Sequence, residues 1–316
     1  RVSSDCYTVP KRNIVLIGNT GNGKSSVGNM ILRKTVFITK ASANSVTTQC
    51  QRNENMVSKK QITVIDTPDF FDIEDGKEEE MKSEILKALI ECAEGIHTFI
   101  IVLKVGRFTK NEKKMVQQLL NSLTEDALKH TLILFTFGEQ LEGQTIEEFV
   151  KTNSQLKELA DKCGGRCHVI DKYWNRKKKE KQVEKILKTI DKMVETYNCY
   201  SNDLLREVDK QIKKEIIAGL RDEEAKYTFY IAFLRWAARI TTLVLVDAFL
   251  GARDEGVSEL ISDFRKLRKY CKNRSGSRSG SLFLFRTDTT SNAATTSFEK
   301  AITLMNDAQT NMLKKK

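Results

Sequence analysis

The sequence predicts an α/β fold: a mainly parallel sheet flanked by helices, followed by an α-helical C-terminal extension. Three observations predict it. Short apolar runs alternate with stretches of helical period up to about residue 200, the pattern of strands joined by crossover helices. A glycine-rich octad, Gly18-Asn19-Thr20-Gly21-Asn22-Gly23-Lys24-Ser25, lies between the first apolar run and the first helical stretch. Only two prolines occur in 316 residues, which leaves long helices uninterrupted.

The elements follow in order. Asn13–Ile17 reads as a buried strand and Ser26–Leu32 as the helix after the octad. Lys40 to Asn55 is polar and reads as a loop. Gln61–Ile65 is a second strand ending at Asp66-Thr67-Pro68-Asp69. Residues 76–93 place Met81, Ile85, Leu89 and Cys92 on one helical face. His97–Leu103 is a third strand, Lys110–Leu120 a helix, and Thr131–Phe135 a fourth strand followed by Thr136-Phe137-Gly138-Glu139. One helix over 146–162 leads to a fifth strand, Cys167–Ile170. A last helix carries Val183, Ile186, Leu187, Ile190 and Val194. Parallel sheets of this kind hold ligands at the carboxyl ends of their strands, and each polar motif falls at such an end.

The octad is Gly-x-x-x-x-Gly-Lys-Ser, the P-loop signature. Its glycines let backbone N–H groups wrap a phosphate, and the helix start adds partial positive charge. Gly18 through Ser26 are therefore the candidate phosphate ligands, with Lys24 as point charge and Ser25 as a hydroxyl for Mg²⁺. Asp66 fits the carboxylate that reaches Mg²⁺ through water. Thr47, or Thr48 beside it, fits a switch threonine that joins the metal only when γ-phosphate is present. Guanine is the expected base, because Glu139 stands where a carboxylate would accept its N–H groups. Phe137 would stack on the ring, Asp171 or Lys172 follows the fifth strand, and Trp174 would cover the other face or pack at the core rim. The expected cofactors are GTP/GDP and Mg²⁺, and the fold is P-loop GTPase-like.

Taken together these residues resemble the GTPase of the immunity-associated protein family (GIMAP). Four stretches carry the likeness: Gly18–Asn29; Ser45-Val46-Thr47 with Cys50; Asp66-Thr67-Pro68-Asp69-Phe70; and Gly95-Ile96-His97 through Gly106-Arg107-Phe108-Thr109. Cys163-Gly164-Gly165-Arg166 agrees as well. The chain departs from the family around the base, at Phe137 and at Ile170-Asp171-Lys172. Asp69 stands where the Asp-x-x-Gly pattern ends in glycine, and Asp66, Asp69 and Thr47 form the switch set. The resemblance implies a septin- or dynamin-related switch, a homo-oligomer assembled through its nucleotide face, and an immune-type scaffold in the cytoplasm or on the cytosolic face of intracellular membranes. Phe70 follows at the place of the water-positioning glutamine of Ras-like enzymes. A phenyl ring cannot orient water, so slow hydrolysis is expected unless a partner supplies a group in trans, with Arg52 as one donor. Two other functions stay open: a GTPase that remodels membranes by turnover, and a scaffold whose nucleotide site is vestigial.

The expected domains are 10–200 for the nucleotide domain, 201–272 for a helical extension and 273–316 for a flexible basic tail. Tyr227 to Gly251 is long enough to span a bilayer, which takes ~20 apolar residues, but it carries Arg235, Arg239 and Asp247. Charges at bilayer depth are costly. A buried or partner-facing helix is the first reading, and an interfacial membrane contact through 227–278, beside the basic run from Arg265 to Arg278, is the second. The net charge of +11 is spread over both halves of the chain, and no zinc finger or basic–aromatic motif supports nucleic acid as a partner. Seven scattered cysteines read as free thiols in a reducing compartment. The chain begins at Arg1 without an initiator Met, as a piece of something longer would.

Overall fold

The computed structural model describes residues 9–39, 49–71, 77–171, 175–222, 225–226, 229–230, 233, 237, 240–252 and 256–262. The chain divides into two units, Arg1–Arg268 and Lys269–Lys316, and every described residue belongs to the first.

The strands are β1 (Lys11–Ile17), β2 (Gln51–Val57), β3 (Lys60–Asp66), β4 (Thr98–Lys104), β5 (Thr131–Thr136) and β6 (Cys167–Val169). The helices are α1 (Lys24–Leu32), α2 (Glu78–Glu91), α3 (Lys110–Ser122), α4 (Glu125–Lys129), α5 (Ile146–Lys151), α6 (Ser154–Lys162), α7 (Arg176–Tyr197), α8 (Asp203–Ile217) and α9 (Thr242–Leu250). One six-stranded sheet runs β2-β3-β1-β4-β5-β6. Its strands are parallel except β2, which pairs antiparallel with β3. Ile14–Ile17, Phe99–Leu103 and Leu132–Phe135 are buried along their whole length, as strands covered by helices on both faces must be. Each such side chain contributes about 1.5–3 kcal/mol by leaving water. Below one face Val27, Ile31, Val183, Ile186 and Ile190 of α1 and α7 close a core against Ile14, Val64 and Val102.

Four local expectations need correction. The stretch expected as a polar loop up to Asn55 contains the start of β2. This edge strand alternates half-buried and exposed residues, so it shows no apolar run. Its hairpin turn, Ser58-Lys59, has φ of 50° and 64°, the left-handed pair of a tight hairpin written without the usual Asn or Gly. The single helix expected over 146–162 is two, because the Asn153 side chain accepts from the N–H groups of Gln155 and Leu156 and starts α6 afresh. The short helix α4, capped by Thr124, has no counterpart in the sequence reading.

The apolar run 227–251 is not one helix. Thr241 begins α9 by accepting from Val244 N–H, and a bend at Ile240 precedes it. Among the described residues no helix is long and apolar enough to cross a membrane. Phe229, Tyr230, Phe233 and Ala237 are buried, as are Leu245, Val246, Phe249 and Leu250 of α9. The α9 helix packs on α2, α3 and α8. Asp247, the carboxylate that argues against a bilayer, accepts a 2.6 Å hydrogen bond from Ser122 Oγ. Tyr200 joins this extension to the sheet: it exchanges backbone hydrogen bonds with Ile96 at 2.7 and 2.8 Å, and its ring meets the Phe99 ring at 5.3 Å.

Candidate functional site

The parallel register brings the ends of β1, β3, β4 and β5 to one edge. Leu16 pairs with Asp66, Ile17 with Ile101, and Lys104 with Thr136. The octad leaves β1 there and turns into α1. Gly18 must be glycine, since a Cβ would lie 2.4 Å from the Val102 carbonyl oxygen. Gly23 caps α1 at φ 89°, a left-handed conformation that a side chain would strain.

The loop is braced from below. Asn22 Nδ2 donates to Val102 O at 2.9 Å. Thr136 Oγ1 lies 2.9 Å from Asn22 O and 3.2 Å from Leu103 O. Lys24 is 5% exposed and folds back over the loop, its Nζ donating to Gly18 O at 2.7 Å and to Asn19 O at 3.3 Å. Burial pushes its pKa down, opposed by the charges of Asp66 and Asp69. A buried ammonium needs such oxygen partners, and at this place in a P-loop it is the point charge that serves the β/γ-phosphates.

Ser25 Oγ donates to Asp66 Oδ2 at 2.5 Å. Asp66 Oδ1 is buried with no hydrogen-bond partner, as is Asn22 Oδ1. Burial raises the Asp66 pKa, while the Ser25 bond and Lys24 pull it back. Native folds rarely leave a buried carboxylate oxygen without a partner unless something else claims it. A hydroxyl beside such an oxygen fits Mg²⁺, which takes few protein ligands and completes its shell with phosphate oxygens and water. Among the described residues no cluster of three or more His, Cys, Asp or Glu offers a metal site, so a cation here would depend on a phosphate ligand as well.

The Asp66-Thr67-Pro68-Asp69 segment is drawn onto the loop. Thr67 Oγ1 donates to Leu16 O at 2.7 Å. Asp69 Oδ2 accepts from Thr20 N–H at 2.8 Å, and its Oδ1 accepts from Phe71 N–H at 3.2 Å. Phe70 is buried with its ring edge on Phe249 of α9 at 6.2 Å.

At the far end of the edge, Phe137 turns left-handed (φ 58°) into a 3-10 turn, Gly138–Leu141. Gly138 N–H donates to Ile170 O at 2.8 Å, and a Cβ at Gly138 would lie 2.8 Å from Val169 Cγ2. This close approach sets Glu139 and Asp171, both half-exposed, at the ends of the adjacent strands β5 and β6. The structure thus gathers Gly18–Ser26, Asp66 and Asp69 around one loop and places Phe137, Glu139 and Asp171 along the same edge. Thr47, Thr48, Lys172 and Trp174 lie outside the described residues. Arg52, the suggested donor in trans, pairs within the chain, with Glu54 at 2.9 Å and Glu91 at 3.3 Å.

Two residues to which the sequence assigned no role of their own join the site. Thr136, seen only as part of a base motif, braces the loop. Glu84 on α2 is buried and accepts from Cys50 N–H at 2.6 Å and from Lys87 Nζ at 2.7 Å. It ties the end of the first switch stretch to α2. An acid beside Ile85 on the apolar side of α2 was the available signal.

A family model described as the AIG1 family matches residues 12–219. The chain belongs to the AIG1 family. Curated AIG1-chain relatives include GTPase IMAP family member 8 of Mus musculus, 33% identical over 195 residues, which are 60% of this chain and 28% of that protein. Immune-associated nucleotide-binding protein 9 of Arabidopsis thaliana is 30% identical over 255 residues, 74% of each chain. This AIG1 chain therefore spans under a third of the mouse protein and about three quarters of the plant one. Among solved structures, Toc33 from Arabidopsis thaliana in complex with GDP and Mg²⁺ is similar at 16% identity and a TM-score of 0.44, covering 60% of this chain and 86% of that one. The relatives' names agree with the likeness read from the four motif stretches.

Proposed function

We propose that the chain binds GTP and GDP with Mg²⁺ at this edge and acts as a guanine-nucleotide switch that self-assembles in the GTP state. Hydrolysis is slow in the monomer or waits on a partner. The observation that carries the reading is the Ser25–Asp66 pair at 2.5 Å, with its second carboxylate oxygen buried and unpaired, beneath the Lys24 ammonium.

In this reading the backbone N–H groups of the loop Gly18 to Ser26 bind the phosphate chain, and Lys24 supplies the counter-charge at its outer end. Ser25 and Asp66 hold the cation. Bound Mg²⁺ supplies charge neutralisation on the phosphate oxygens. Glu139 accepts from the base N–H groups, while Phe137 and Trp174 bracket the ring. Thr47 closes on the metal from the first switch. Phe70 supports slow hydrolysis, because its ring is committed to Phe249 and presents no polar atom to water. Self-assembly through the nucleotide face and membrane scaffolding come from the resemblance. The buried positions in 229–250 favour packing on the nucleotide domain over lipid, so any membrane contact falls to the basic run from Arg265 to Arg278, outside the described residues. The cytoplasm or the cytosolic face of a membrane is the proposed location.

The test is calorimetric titration of the full chain with GDP, a non-hydrolysable GTP analogue and ATP, with and without Mg²⁺, followed by sizing in each state. Guanine-selective, Mg²⁺-dependent heat and a larger particle with the GTP analogue are expected. No heat with any purine nucleotide from folded protein would overturn nucleotide binding. Fast single-turnover hydrolysis at high dilution would favour a turnover enzyme instead.

A further inference from the structure

The switch pattern Asp-x-x-Gly ends in Asp69 here, and this substitution reaches the phosphate loop. Glycine at that place offers only a backbone N–H. Asp69 brings a carboxylate that is 5% exposed and bonded to Thr20 N–H at 2.8 Å through Oδ2. Its other oxygen takes Phe71 N–H at 3.2 Å, so the side chain is held from both sides.

The location of that carboxylate decides its role. Lys24 reaches back to Gly18 O and Asn19 O, over the first residues of the loop. In a P-loop the lysine serves the β/γ end of the phosphate chain. Thr20 follows Asn19, whose carbonyl Lys24 reaches, so the Asp69 carboxylate on its N–H sits beside the part of the loop that Lys24 covers, and Asp69 lies close enough to Lys24 for their charges to interact. Two anions that need one N–H and one ammonium compete.

Resting on the proposed nucleotide reading, we propose that Asp69 is a built-in competitor of the terminal phosphate, one that sets the balance between di- and triphosphate. A diphosphate leaves the Asp69–Thr20 bond in place. A triphosphate must displace it or share Lys24 with it. The chain therefore binds GDP more tightly, relative to GTP, than it would with a neutral residue at 69, and residues 69–71 move only when the third phosphate arrives.

The experiment measures Kd for GDP and for a non-hydrolysable GTP analogue, with Mg²⁺, on the wild-type chain, Asp69→Asn and Asp69→Gly. Asn keeps an acceptor for Phe71 N–H and removes the charge; Gly removes the side chain. The quantity read is the ratio of the analogue's Kd to the GDP Kd, which a general loss of fold would not move in one direction. That ratio is expected to fall about tenfold or more in both variants, the size of one charge-assisted contact. An unchanged ratio in variants that still bind GDP would overturn the proposal and leave Asp69 a structural brace. If the wild-type chain binds neither nucleotide, the nucleotide reading fails and this inference falls with it.

Discussion

Thr136→Val tests whether the loop brace acts as described. The change keeps the branched shape and replaces the hydroxyl with a methyl. Thr136 is buried, with Oγ1 at 2.9 Å from Asn22 O and 3.2 Å from Leu103 O. One hydroxyl hydrogen serves these two carbonyls, so the variant loses one hydrogen bond and leaves Asn22 O facing a methyl. The lost bond is worth about 0.5–1.5 kcal/mol, and a stranded buried acceptor raises the cost to about 1–3 kcal/mol. At about 2–4 °C per kcal/mol for a domain of this size, Tm drops by roughly 2–12 °C. Thr136 Oγ1 also lies 4.0 Å from the place a Cβ would take on Gly23, so the methyl that replaces it bears on the same turn and the phosphate cradle loosens with it. The assay is thermal melting of wild type, Thr136→Val and Thr136→Ser, each with and without GDP and Mg²⁺. Thr136→Ser keeps the hydroxyl and should stay near wild type in ligand-induced stabilisation, whereas Thr136→Val should lose part of it. Equal melting and equal ligand shifts in all three proteins would refute the brace.

Three other changes follow from the geometry. His97 accepts from Asn13 N–H through Nδ1 at 2.9 Å, and burial, with Arg12 and His130 nearby, lowers its pKa from 6.5 to about 4. The depressed value means the unfolded chain takes the proton first. Stability is therefore full above pH 6.5 and falls as pH drops toward 4, by at most about 3 kcal/mol. Chemical denaturation at pH 7, 5.5 and 4.5 should show that slope, and His97→Gln should flatten it; an identical slope in the variant would clear His97 of the effect. Phe249→Ala empties a fully buried ring position between Phe70 and Phe99 and should cost about 3–5 kcal/mol, readable as an unfolding midpoint; a loss under about 1 kcal/mol would mean that α9 does not pack as described. Gly18→Ala sets a methyl against Val102 O and should lower both Tm and nucleotide affinity, where an unchanged melt would show that the loop has room.

Much of this architecture was legible because its cause is local. Ile14–Ile17, Phe99–Leu103 and Leu132–Phe135 are apolar without interruption because both faces are covered, so the parallel strands were plain in the sequence. The octad announced itself because wrapping a phosphate demands glycines at set spacing. The edge strand β2 was hidden, since a strand with one open side needs no apolar run, and its Ser58-Lys59 turn lacks glycine. The break at Asn153 and the bend before Thr241 were hidden as well. Asn and Thr favour helix starts but are also tolerated inside helices, and only the side-chain hydrogen bond shows that these two restart one.

The order of the motifs, their assignment to strand ends and the kinship with the AIG1 family were determined by the sequence alone, because strand period and phosphate-loop chemistry are written in neighbouring residues. Tertiary structure decided which distant residues share an edge. It set Asp69 on the Thr20 amide, Thr136 beneath Asn22, Glu84 on Cys50 and Phe249 against Phe70. Each of these pairs is separated by tens of residues or more, and only the stacking of strands and helices brings a carboxylate, a hydroxyl or a ring within hydrogen-bonding or van der Waals reach.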